Sequence, residues 1–206
     1  MTMMKSGLGI KVCTAVAASA VGIAMLTAGT GDKVHSLDAQ SLVPELARAQ
    51  SAGDALPDTV QPLIDDASLD PGTVRLLAES RLGFHWVSED ALGDICSITM
   101  GREGVSAANC LTPQQFYSSG SSLMVAGSSR NGVVSHLLPA GTDASAVKAA
   151  IERRSSKLGQ SGTEPRVEVL NGGSLVVMDE QTAKELGDIT ISRNDGTDIV
   201  LSGLEH

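Results

Sequence analysis

FHWVSEDALGDICSITMGREGVSAANCLTPQQFY, residues 84–117, is the stretch around which the chain is organised. It holds every aromatic side chain of the protein, Phe84, Trp86, Phe116 and Tyr117, and two of the three cysteines, Cys96 and Cys110. Large rings bury the most apolar area per residue, so a chain with so few is expected to gather them into one nucleus. Residues 84–87, 95–100 and 105–110 read as short strands, with Gly101-Arg102-Glu103-Gly104 as the turn joining the last two. A hairpin about that turn puts Cys96 and Cys110 near its far ends, so a Cys96–Cys110 bridge is expected. Closing a loop of this size stabilises a chain by about 3 kcal/mol in the chain-entropy description. Thr112-Pro113 then opens a short helical turn that carries Phe116 and Tyr117 back onto the nucleus.

Downstream the pattern stays rich in β-strand signals. Residues 122–126 and 133–138 flank a Ser/Arg/Asn-Gly turn, and Asn-Gly supplies the positive φ angles such a hairpin needs. Residues 166–170 and 174–178 flank Asn171-Gly172-Gly173, and 188–192 and 198–202 flank Asn194-Asp195-Gly196. Alternation at Val167/Val169 and Ile189/Ile191 implies sheets with one buried and one wet face. One long helix interrupts the strands: Thr142 and Asp143 offer cap oxygens, and Val147, Ala150, Ile151 and Leu158 form its apolar stripe. Lys148, Glu152 and Arg153 would be its solvated side. Many short strands with glycine-containing turns point to a mainly antiparallel β (α+β) domain, a sandwich or roll, over residues 83–206.

Upstream, residues 31–82 read as a spacer of short helices, flexible in its first part. Leu42, Val43, Leu46 and Ala47, then Leu56, Val60, Leu63 and Ile64, recur at helical spacing. Asp70-Pro71 looks like a helix start, with Val74, Leu77 and Arg81 sharing a face before Gly83. Residues 1–30 combine Lys5 and Lys11 with an uncharged apolar run, 12–28. Two readings of that run stand side by side. It is a cleavable signal peptide, with Thr27-Ala28-Gly29 supplying the small residues of a cleavage position. Alternatively it is a retained anchor near the short end of what spans a bilayer, its lysines keeping the N-terminal end in the cytoplasm. Either route places the domain outside the cytoplasm, where thiols are oxidised, and Cys13 stays unpaired. Val12 precedes Cys13 where a lipoprotein signal needs a small residue.

Charge narrows the partners. The formal net charge is −9, with 15 basic and 24 acidic side chains and no Lys/Arg-rich run. Phosphate backbones are bound by clustered positive charge, so no nucleic-acid partner is expected.

No catalytic or metal constellation emerges. Ser145-Ala146-Val147-Lys148 matches a Ser-x-x-Lys arrangement, but the companion Ser-Asp-Asn and Lys-Thr-Gly elements are missing from the sequence. His35, His85, His136 and His206 have no metal-pair spacing, though His85 and His136 fall in expected strands and would be able to meet. Asn194, Asp195 and Asp198 read as a hairpin turn rather than a calcium loop. Asp65-Asp66 and Glu89-Asp90 read as solvated faces, and Arg153-Arg154 with Lys157 as charges suited to a helix C-terminus. Catalytic, cofactor-binding and metal residues are therefore expected to be none.

The apolar start at 12–28, the approach from Trp86 to Cys96, Asn109-Cys110, Leu137-Leu138-Pro139 and the Asp195-Gly196 turn together carry a resemblance of layout. The chain resembles small actinobacterial exported or membrane-anchored proteins whose single-disulfide outer domain has no assigned activity. That resemblance implies no catalytic residues. The anchor-like segment, the spacer and the missing active-site pattern lead to the expectation of a non-enzymatic domain with a binding or cell-envelope role, a membrane contact through 12–28 if uncleaved, and a protein or envelope partner. The rival expectation is a secreted enzyme or enzyme inhibitor, which needs Ser145, Lys148 and His136 to converge.

Overall fold

The computed structural model describes residues 37–127, 132–158 and 166–203, which lie within one compact unit, Ser36–His206. The apolar run 12–28, Cys13, His35, His206, the turn residues 128–131 and the side chains of Lys157 and Leu158 fall outside the described residues. Among those described, no helix is long and apolar enough to cross a membrane.

Antiparallel sheets dominate. Strands β1 (Arg75–Glu79), β2 (Gly83–Glu89), β3 (Ile95–Gly101) and β4 (Ser106–Leu111) form the first sheet in simple sequence order. After helix α3 (Pro113–Ser119) come β5 (Ser121–Val125) and β6 (Val133–Leu137). The long helix α4 (Ala144–Leu158) leads to β7 (Val167–Leu170) and β8 (Leu175–Asp179). These four strands make the second sheet in the order β5-β6-β8-β7. Helix α5 (Glu180–Leu186) and the hairpin β9 (Ile189–Ser192) and β10 (Asp198–Leu201) close the described chain.

Alternation along β2 and β3 gives the first sheet two buried faces. Trp86, Cys96 and Ile98 point to one side, where they pack with Val60, Ile64, Leu69 and Val74. Val87 and Ile95 point to the other, where they meet Phe116 and Leu137, with Leu42, Val43 and Leu46 completing the cluster. The four aromatic rings thus do not form one nucleus: Phe84 and Trp86 stack with centroids 5.9 Å apart on one face, while Phe116 is buried on the other. Strict period-two alternation forces this split, since Trp86 and Val87 are adjacent in β2. The second sheet also buries both faces. Val133, Leu175 and Val177 lie with Leu77 and Leu82 of the first sheet's side, and Val134, Val176 and Met178 lie under α4, α5 and the β9–β10 hairpin.

The N-terminal part of the described chain differs from a helical spacer. It begins as short helical pieces, α1 (Ala39–Leu42), 3₁₀ turns at Pro44–Ala47, Ala52–Asp54 and Asp58–Val60, and α2 (Gln61–Asp66). Leu42, Val43, Leu46, Val60 and Ile64 are all buried, so this stretch supplies core rather than distance. The helix expected beyond Asp70-Pro71 is instead a turn followed by β1, which pairs with β2 through a register shift between Leu76 and Ala78. RLLAE has good helix formers, and pairing with the edge of β2 overrides that local preference. Between β1 and β2 the Ser80 Oγ accepts from the backbone of Leu82 and Gly83, making a tight turn. A Cβ on Gly83 would run into the Met100 carbonyl oxygen, so only glycine fits that approach.

Elsewhere the expected elements are found. Cys96 lies directly opposite Cys110 in the β3–β4 register, and the two form a disulfide with Cα atoms 4.0 Å apart. Thr112 caps α3 by accepting from the Gln115 N–H, and Gln115 returns the bond to the Thr112 N–H. Helix α5 has no counterpart in the sequence reading. Its start is signalled by Asp179, whose carboxylate accepts from the Thr182 N–H at 2.7 Å.

Candidate functional site

At one end of the two large sheets the chain opens a cleft of about 430 Å³. Its walls come from the turn after β1 (Arg81, Leu82), the β3–β4 turn (Gly101 to Val105), the ends of β5 and β6 (Val125, Val133), the start of β7 and the α5 side. A second hollow of about 300 Å³ shares Arg81, Leu82 and Arg166 with it and reaches Glu168. The floor is aliphatic. Val125 and Val133 are almost fully buried beneath it, while Val105 is 47% exposed, one of the few large apolar side chains that reach solvent.

Charge is arranged around that floor. Arg102 donates to Glu79 at 2.8 Å and to the Ser80 carbonyl, and its guanidinium lies 4.9 Å over the Phe84 ring. Arg81 pairs with Glu168 at 3.3 Å. The carboxylates on the wall are engaged locally: Asp179 caps α5, Glu185 accepts from Gln181 Nε2 at 2.7 Å, and Glu103 has a partner of its own. Arg166 is different. Its backbone N–H donates to Thr182 Oγ1 at 3.1 Å, but its exposed guanidinium has no carboxylate partner among the described residues. Such a pocket, with an apolar floor and a few polar groups at the mouth, is the usual form of a small-ligand site.

The residues singled out in the sequence do not assemble into a catalytic centre. Ser145 Oγ donates to Asp143 Oδ2 at 2.8 Å, and bonds from its hydroxyl and backbone hold Asp143 below the usual carboxylate range. The His136 ring is buried on β6 and shares a bond with Ser122 Oγ at 2.7 Å, so no described hydrogen bond joins Ser145, Lys148 and His136. His85 and His136 likewise share no partner. His85 bonds Ser80 Oγ through Nε2 at 3.0 Å and Thr99 Oγ1 through Nδ1 at 3.1 Å. Thr99 continues to Ser135 Oγ at 2.8 Å, so a polar chain crosses the interface between the two large sheets. Burial pushes both histidines down to about 4, which keeps them neutral at ordinary pH.

Other candidates have structural partners. Asp90 Oδ1 accepts from the N–H groups of Leu92 and Asp94 in the β2–β3 turn, and Asp65 and Asp66 are exposed at the end of α2. Asp195 accepts from Thr197, Tyr117 and Arg193, and Asp198 from Ser192 Oγ, which makes a hairpin of the Asn194–Asp198 turn. Arg154 donates Nε to the Leu186 carbonyl. Asp90, Cys96 and Cys110 bring ligand-type atoms within 4.8 Å of one another, yet the two sulfurs are bonded together and offer no thiolate.

The sequence reading missed both the cleft and the Ser122–His136 pair. The pair was legible in one respect, since Ser122 and His136 stand on the two strands of one expected hairpin. The cleft was not, because its residues come from six separate places in the chain. No family model, no curated protein and no solved structure matches the chain.

Proposed function

We propose that this chain is a non-enzymatic extracytoplasmic domain with a binding or cell-envelope role, either tethered through residues 12–28 or released after cleavage. The observation that carries this reading is the Cys96–Cys110 disulfide within the first sheet. Structural disulfides belong to oxidising compartments, and the basic, apolar start of the chain agrees with delivery to one. A ligand-sized cleft with an aliphatic floor is in keeping with a binding role. A protein or envelope component is the partner class this reading favours.

A secreted enzyme is the second reading, and the Ser122–His136 contact is the observation in its favour. Against it, a histidine held near 4 is a weak base at neutral pH, and neither residue lines a described cavity.

The test is an intact mass of native protein from separated membrane and culture fractions, with and without reductant. Full-length protein in the membrane, gaining two hydrogens on reduction, is the expected result for a tethered domain. A shortened chain in the medium, gaining the same two hydrogens, means an exported one. Reduced cysteines in freshly prepared protein would remove the extracytoplasmic reading.

A further inference from the structure

We propose that the cleft bounded by Arg81, Arg102 and Arg166 is a binding site for an amphiphilic monocarboxylate, with its carboxylate on Arg166 and an aliphatic body along Leu82, Val105 and Val125. This deepens the reading of the chain as a binding domain by naming a ligand class.

The charge pairing around the site selects the sign of the ligand. Among the described residues, three guanidiniums and three carboxylates line the cleft. Asp179 and Glu185 already accept hydrogen bonds, Glu103 has a partner, and two of the cations already have an acid, Glu168 for Arg81 and Glu79 for Arg102. Among the described residues the cation without an acid is Arg166, so the open position at the mouth is cationic. Glu168, two residues along the chain, is taken by Arg81, which leaves the Arg166 guanidinium open to an anion at the mouth. A guanidinium offers a planar fork that matches a carboxylate with two parallel hydrogen bonds.

The floor selects the rest of the ligand. Leu82, Val105, Val125 and Val133 are aliphatic, and no aromatic ring lines the cleft. Val105 keeps 47% of its surface in water on a turn otherwise made of polar residues and glycine. Covering that surface is favourable by the hydrophobic effect, and a small aliphatic chain would do so. At about 430 Å³ the cleft falls in the lower part of the range that holds small ligands, so the body is short rather than a full lipid chain.

The probe is octanoate, titrated into the full chain with its disulfide intact and followed by amide shifts at Gly101, Val105, Ala126 and Arg166. 1-Octanol and octylamine serve as controls for the body alone and for the opposite charge. Saturable octanoate shifts at those amides, with no comparable response to either control, are expected. Arg166→Gln should weaken octanoate by about tenfold or more, the usual scale for one charge-assisted pair. Arg166→Lys should keep part of the affinity, and unchanged shifts elsewhere in both variants establish that the fold is intact. No saturable shift at the cleft, or an affinity for octanoate that Arg166→Gln leaves unaltered, overturns the proposal. Equal binding of octanol overturns it too, since the carboxylate would then be irrelevant. The fractionation test reads compartment alone, so a failed titration removes this ligand and leaves the extracytoplasmic reading to be judged separately.

Discussion

Tyr117 donates its hydroxyl to Asp195 Oδ2 at 2.6 Å, joining helix α3 to the β9–β10 hairpin across 78 residues of chain. Arg193 completes the joint. Its guanidinium lies 3.9 Å over the Tyr117 ring, donates to the Tyr117 carbonyl at 2.6 Å and reaches the same Asp195 oxygen at 2.8 Å. Helix α3 begins at the end of β4, so this joint ties the first sheet to the terminal hairpin.

Removing the Tyr117 hydroxyl should loosen that joint without unfolding the domain. Bonds from Thr197 first, then Tyr117, hold the Asp195 carboxyl well below the usual range. Tyr117→Phe should therefore raise the Asp195 titration midpoint and lower amide protection in β9 and β10 while leaving β2 and β3 unchanged. An NMR pH titration with hydrogen exchange reads both. An unmoved Asp195 midpoint would mean that the hydroxyl does not contribute to the joint in solution.

The buried histidines set the acid sensitivity. His85 and His136 titrate near 4 in the fold against an ordinary 6.5, because burial penalises the charged ring. Between those values the unfolded chain binds protons that the folded chain refuses, so stability falls as pH drops from 6.5 towards 4 and is fully present above 6.5. Each shift corresponds to about 3 kcal/mol at full effect. Urea unfolding at pH 7, 5.5 and 4 should show the loss, and His136→Gln should flatten the slope. A stability that stays level across this window rules the explanation out.

How legible the fold was depended on how local its causes are. Turns with Asn-Gly or Gly-Gly chemistry and the alternation of β7 and β9 act within a few residues, and they placed nearly all the strands from β2 onward. The register of Cys96 on Cys110 followed from one short turn. β1 failed because Arg75-Leu76-Leu77-Ala78 favours a helix by itself, and only the free edge of β2 makes it a strand. The early helices were placed roughly, but their burial was not seen. Leu46 and Val60 find their partners on strands far along the chain. The cleft depends on how the two sheets meet, which no local pattern encodes.

Asp54 holds the early chain to the first sheet, and its loss should be costly. Its carboxylate is 1% exposed and accepts from Ser51 N–H at 2.7 Å, Ser51 Oγ at 2.8 Å and the Leu76 N–H at 2.8 Å, with Arg48 as its ion-pair partner. Arg48 first, with the Ser51 and Leu76 donors, holds it far below the usual carboxylate range. Asp54→Asn replaces one acceptor oxygen with a donor facing donors, and should cost about 1–3 kcal/mol of stability at pH 7. The difference from the parent should shrink as pH falls below about 4, where the unfolded parent chain takes up a proton that the folded, paired carboxylate refuses. Equal urea midpoints at pH 7 would contradict this.

The disulfide is the last joint to test, because it lies where two layers meet. Cys96 is fully buried beside Trp86 and Ile98, and Cys110 is on β4, the outer strand of the sheet. The bridge closes a loop of sequence separation 14 that contains the whole β3–β4 turn, including Gly101, Arg102 and Val105 of the cleft. Replacing both cysteines with alanine keeps the site apolar and removes the crosslink together with the two sulfur atoms packed there. The pair of substitutions should lower stability by about 2–4 kcal/mol, chiefly by freeing the unfolded chain, and should raise the denaturant slope slightly as that chain expands. Hydrogen exchange should quicken first at β4, which has only β3 beside it in the sheet, and spread to the cleft before it reaches β2. If β4 exchange and the urea midpoint match the parent, packing alone holds this edge and the bridge serves some purpose other than stability.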